Sequence, residues 1–193
     1  MKTDRAEALV KRFHTHDPIV IARCLGIPIH YLYHPESKVP GLTCLVQNRP
    51  SIFVNDAYFE RQLQNNHGYT EEHARRDKVL VIGHELGHSV KHRNALKAAP
   101  IKEYQLLSVH SVLEREANDF AAQLLIDRRE MLELLKSGMD VLDVAAKLQV
   151  NVNLLLYRIE MLQREGYPIR EIPYIPKNNF IGHISGSASE EWM

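Results

Sequence analysis

The chain has 193 residues, 45% of them hydrophobic and 25% charged, a balance that fits an ordinary globular domain and excludes wholesale disorder. Its 24 basic and 24 acidic side chains cancel, so bulk charge argues for neither nucleic acid nor an anionic membrane as a partner. Two cysteines, Cys24 and Cys44, are too few for a disulfide framework. No stretch approaches roughly eighteen uninterrupted apolar residues, and MKTDRAEALVKRF reads as charged and amphipathic, not as a secretory signal. A cytoplasmic location is expected.

Residues 3–14 place Ala6, Ala8, Leu9, Val10 and Phe13 at helical spacing, which predicts a first amphipathic helix. Asp17 before Pro18 is a helix start, so 18–25 reads as a second helix closed near Gly26. The period then changes. IPIHYLY (27–33), GLTCLVQ (41–47) and SIFV (51–54), with a turn at Asn48-Arg49-Pro50, predict a small antiparallel sheet. Past Asn55 the chain turns helical, breaks at Asn65-Asn66-His67-Gly68, and resumes behind Thr70 as a long helix to about Arg93. A connector over 94–107 leads to a helix over roughly 108–136, followed by helices at about 140–148 and 152–165. Residues 1–166 are expected to form one domain that includes the helix pair at 141–165. Three prolines and a Gly/Ser-rich end predict an extended tail over 167–193.

Chemistry concentrates in VLVIGHELGHSVKH (79–92). On a helix, His84 and His88 stand about 6 Å apart along one face, a separation at which two imidazoles can share a tetrahedral Zn²⁺. Glu85 is rotated too far round to be an easy third ligand, yet is positioned to take a proton from a metal-activated water. Gly83 and Gly87, each costing about 1 kcal/mol relative to alanine in a helix, suggest close packing or substrate access. His92 lies another turn along, cannot easily close on the same ion, and reads as a helix-end histidine near the C-terminal dipole.

The third ligand is sought in SVLEREANDFAAQLLI (111–126), where Leu113, Ala117, Phe120, Ala121, Leu124 and Leu125 trace an apolar stripe. Glu114 falls at the inner margin of that stripe, where a carboxylate needs a partner, and Asn118 one turn later could orient a ligand imidazole. Glu114 is the favoured ligand and Glu116, nearer to solvent, the alternative. Taken alone, Glu114 would read as a surface carboxylate paired with Arg115 or Arg128.

HELGH (84–88) and EREANDFAAQLL (114–125) resemble the ImmA/IrrE-type zinc metallopeptidases. So does the order of the parts: an N-terminal helix leading into LGIPIHYL (25–32), a hairpin ending in IFVN (52–55), and two C-terminal helices. The resemblance covers roughly residues 5–165. It implies an α+β, zincin-like fold: a small antiparallel sheet packed on a helical core that carries the HExxH helix, with a C-terminal pair resembling a helix-turn-helix. It further implies Zn²⁺ held by His84, His88 and Glu114, and Glu85 as general base of a zinc-dependent endopeptidase. The implied substrate is a helix-turn-helix repressor of a mobile element or stress response. Ile126-Asp127 departs from the Met-Pro that often ends the second motif, which bears on helix termination. An oxyanion donor is also expected, with His110, Tyr104 and Tyr157 as candidates. An edge of the 27–54 sheet could receive an extended substrate by strand addition.

Other readings remain beside this one. Cys44 in GLTCLV faintly resembles the strand cysteine of peptide deformylases, although Gly87 stands where they carry Asp and their Gly-rich motif is missing. DVAAKLQVNVNLLLYRIEML (143–162) resembles a DNA-binding helix-turn-helix, but its second helix carries five Leu or Ile residues and one Arg, a composition for packing and not for phosphates. A zinc-binding regulator that acts on a partner or DNA without cleavage is the alternative function.

Overall fold

The structure, a computed structural model, describes residues 5–98, 100–103 and 111–169. Helix α1 (Arg5–Phe13) leads to α2 (Pro18–Cys24), where Asp17 accepts hydrogen bonds from the Ile19 and Val20 amides and Pro18 opens the first turn. Gly26, at φ +68°, ends α2 in a conformation that costs a side-chain-free residue little. Strands β1 (Ile29–Leu32), β2 (Gly41–Val46) and β3 (Arg49–Asn55) follow, then α3 (Asp56–Asn65) and the long α4 (Glu71–Lys91). Thr70 caps α4 as expected, in a capping box whose reciprocal partner is the His73 ring. Beyond it lie α5 (Arg93–Ala98), β4 (Ile101–Glu103), α6 (Val112–Leu125), α7 (Arg128–Lys136), α8 (Val141–Lys147) and α9 (Val152–Arg164).

The architecture is α+β and zincin-like, with a small sheet on a mostly helical core. The sheet differs from the expected antiparallel one in being mixed. Its order is β1-β3-β2-β4, and β1 pairs in parallel with β3 while β2 runs antiparallel to β3 and β4. The reason lies in the segment between β1 and β2, which carries the chain past the position that β3 later fills. Buried Asn55 pins that segment: its amide donates to the His34 and Val39 carbonyls and its Oδ1 accepts from the His34 amide. The hairpin turn is Gln47-Asn48, both at positive φ, one residue before the expected place. The connector expected over 94–107 contains α5 and β4, both too short to leave a period in the sequence.

The single helix expected over 108–136 is two. Ile126 leaves the helical region at φ −118°, ψ 109°, and Asp127 caps α7 by accepting from the Glu130 amide at 2.8 Å. Helix α4 is the centre of the fold, packed against α6 on one side and against β2 and β3 on the other. Residues 80–89 are consequently buried without interruption, which erases any amphipathic signature from that stretch. One apolar cluster joins α1, α2 and the sheet to α4 through Ile21, Ile52, Val54, Val81 and Leu86. A second joins α6–α9 through Ala121, Met131, Val144, Leu154, Leu155 and Leu162. The helix pair resembling a helix-turn-helix therefore packs into the core: Arg158 is buried, and the Tyr157 hydroxyl donates to Asp119 at 2.7 Å. Tyr167 and Ile169 pack on this second cluster, and the tail from 170 onward lies outside the described residues. Among the described residues no helix is long and apolar enough to cross a membrane.

Candidate metal centre

Two neighbouring turns of α4 bring His84 and His88 onto one side of the helix, their rings edge to face with centroids 4.7 Å apart. Their Nε2 atoms face each other at 2.9 Å. The Glu114 carboxylate, from the first turn of α6, places Oε2 3.2 Å from His84 Nε2 and Oε1 3.6 Å from His88 Nε2. Among the described residues these three alone form a cluster of metal-ligating side chains, with donor atoms all within 4.8 Å of one another. Tetrahedral zinc with bonds of about 2.0–2.1 Å holds its donors about 3.3 Å apart, so the observed separations bracket what that ion requires. The donor set of two imidazoles and a carboxylate fits a metal of the zinc type.

The approach of α6 to α4 makes this convergence possible. A Cβ on Gly87 would lie 3.1 Å from Ala117 Cα and 3.2 Å from the Ala117 carbonyl, and one on Gly83 would lie 3.0 Å from the tip of Leu125. The two glycines thus serve helix packing, one of the two roles the sequence left open. Asn118, on the turn after Glu114, sets Oδ1 2.8 Å from His84 Nδ1, so that the ring donates there and presents Nε2 as a lone pair. Burial pushes the His88 imidazole down to about 4, against the opposing pull of Glu114, which keeps it neutral and able to ligate.

Glu85 faces the sheet. It is fully buried, and Thr43 Oγ1 on β2 donates to its Oε2 at 2.6 Å. Gly41, two residues earlier on the same strand, lies against it: a Cβ there would be 3.3 Å from Glu85 Oε1 and only 2.4 Å from Val81 Cγ1. Thr43 and Gly41 escaped the sequence reading because nothing local ties a strand threonine or glycine to a helix forty residues on. His92 did carry a signal, its i, i+4 spacing from His88. It is the C-cap of α4, as a helix-end histidine should be, but it is no bystander. Its Nδ1 lies 2.8 Å from His88 Nδ1 and its Nε2 2.8 Å from Glu116 Oε2. Glu116 is thus bound to His92 and stands outside the three-ligand cluster.

Cys44 is not in that cluster either. It alternates with Thr43 along β2, and Thr43 is the residue turned toward α4, so Cys44 takes the opposite face of the sheet. Of the oxyanion candidates, Tyr157 is engaged with Asp119, while Tyr104 and His110 lie outside the described residues.

Comparison with known proteins agrees with this geometry. Residues 68–160 match the family model Peptidase_M78, the IrrE N-terminal-like domain. The matched segment runs from just before α4 into α9 and contains His84, Glu85, His88 and Glu114. No curated protein and no solved structure matches the chain. Over residues 68–160 the chain is thus similar to the ImmA/IrrE-type peptidases.

Proposed function

We propose that this chain is a zinc-dependent endopeptidase whose substrate is a helix-turn-helix transcriptional repressor. The ligands are His84, His88 and Glu114, and the general base is Glu85. The observation that carries the reading is the convergence of two imidazole nitrogens and a carboxylate beside a buried glutamate fixed by its own hydrogen bond. The repressor as substrate rests on the family alone. Bound zinc would supply Lewis acidity, polarising a scissile carbonyl and making a water acidic at neutral pH.

The chain's own residues do the rest. Glu85 takes a proton from the attacking water and returns it to the leaving amine. Thr43 holds the Glu85 carboxylate by Oε2 and so fixes its orientation. Strand β4 ends the sheet beside β2, with Ile101 paired to Thr43, and offers an extended substrate a strand to add to.

Co-incubation with the repressor encoded beside the gene tests the reading, comparing wild type with Glu85→Gln. Cleavage by wild type, lost by at least about 100-fold in the variant while zinc stays bound to both, is the expected result. Zinc bound to both with no cleavage by either would favour a regulator that acts by binding.

A further inference from the structure

We propose that Glu116 and His92 form a relay that fixes which nitrogen of His88 carries its proton, and that this relay governs how tightly the ion is held. The proposal rests on the zinc reading above. Glu116, an acceptor when ionised, lies at the solvent edge with its side chain 45% exposed. His92 Nε2 stands 2.8 Å from its Oε2, so this nitrogen carries the proton and donates it. A neutral imidazole with Nε2–H has its lone pair on Nδ1.

His92 Nδ1 is 2.8 Å from His88 Nδ1, and two nitrogens at that distance share either a proton or a cation; on this side of the ring, away from the three-residue cluster, they share a proton. His88 must supply it, which strips the proton from His88 Nε2 and leaves a lone pair aimed at the three-ligand cluster. In the opposite tautomer His92 would donate from Nδ1, and His88 would carry its proton on Nε2 and could not ligate. Glu116 makes the choice between the two. His84 reaches the same state in one step through Asn118, whereas His88 needs two because its Nδ1 meets another imidazole. The second motif thus contributes Glu114 to the ion directly, and Glu116 at one imidazole's remove from His88. Helix geometry adds to the constraint: His92 is the C-cap of α4 at φ −112°, ψ 29°, where the backbone leaves the helix and the ring lies over that of the preceding turn at 5.0 Å.

The test is the zinc dissociation constant of the full chain, measured by competition with a chromophoric chelator, for wild type, Glu116→Ala, Glu116→Gln and His92→Phe. Glu116→Ala and His92→Phe are expected to weaken zinc by about 10–100-fold. Glu116→Gln, which keeps an oxygen able to accept from His92, should stay close to wild type. Imidazole ¹⁵N spectra of the metal-free chain should show His88 as the Nδ1–H tautomer in wild type and Glu116→Gln, and as a mixture in Glu116→Ala. Should His92→Phe fail to fold, the half-exposed Glu116 variants still decide the matter. Wild-type zinc affinity in Glu116→Ala, with an unchanged His88 tautomer, overturns the relay and leaves the zinc reading standing. A wild-type chain that holds no zinc overturns both.

Discussion

Thr43 and Glu85, 42 residues apart in the chain, are joined by a 2.6 Å hydrogen bond in which a strand hydroxyl holds one oxygen of a helix carboxylate inside the core. Replacing Thr43 by Val keeps the shape and removes the donor. The expected result is a fall in kcat, by up to about 100-fold, because the base is no longer held in its productive orientation. Stability should fall by about 1–3 kcal/mol, since a buried charge acceptor loses a partner. Zinc content should not change, and Thr43→Ser should restore most of the rate. Steady-state kinetics, metal analysis and thermal melts on the three proteins check this.

Gly87 meets backbone across the α4–α6 interface, whereas the close contact of Gly83 is with the end of a leucine side chain, Ala121 Cβ lying at an ordinary 3.7 Å. Gly87→Ala should therefore push α6 outward, destabilise the fold by about 1–3 kcal/mol, and weaken zinc, because Ala117 lies less than one helical turn from Glu114. Gly83→Ala should be nearly neutral: Leu125 can shift, and alanine gains about 1 kcal/mol in helix propensity. Urea titrations with and without zinc separate the two outcomes.

On the zinc reading, removing the metal should be felt by the fold as well as by the activity, since the proposed ligands come from two helices. Saturating zinc at about 100 times its dissociation constant is expected to add about 2.7 kcal/mol to the unfolding free energy. Glu114→Ala should abolish that increment. Calorimetry of chelated and reloaded protein reads it directly.

Asp77 ties α4 to the start of α9, accepting from the Tyr69 hydroxyl and from the side-chain amide of Asn151, the cap of α9. Burial raises its carboxyl above the ordinary aspartate range, with the two hydrogen bonds pulling the other way. A raised folded value means that the native state holds the proton more tightly than the unfolded chain. The resulting stabilisation is complete below the unfolded value of about 3.9 and is lost as pH rises through the folded one. Relative to Asp77→Asn, wild type should thus lose stability as pH increases from about 4. A parallel pH dependence in the two proteins, measured by urea denaturation, would contradict this.

Much of the site was legible because helices write their geometry into the sequence. The i, i+4 spacing of His84 and His88 and the position of Glu114 on its apolar stripe both survive translation into three dimensions, and Asn118 stands where a ligand-orienting residue was sought. What could not be read depends on contacts between distant elements. Thr43 and Gly41 acquire their roles only when β2 is laid on α4, and the parallel pairing of β1 depends on where the hairpin docks. His92 shows the intermediate case. Its spacing was plain and it lies outside the three-residue cluster, yet its contact with Glu116 exists only because a second helix brings that carboxylate to it.

The three side chains of the cluster differ in their access to water: His88 is 0% exposed, His84 2% and Glu114 14%. An ion approaching from solvent therefore meets the carboxylate first, and a departing one leaves past it. His84 and His88 belong to the stretch of α4 that is buried without interruption, so they sit behind the carboxylate. Loading rate and equilibrium affinity consequently fall to different residues. On the zinc reading, Glu114 is the point of first contact for the ion and the imidazoles are its deeper anchor.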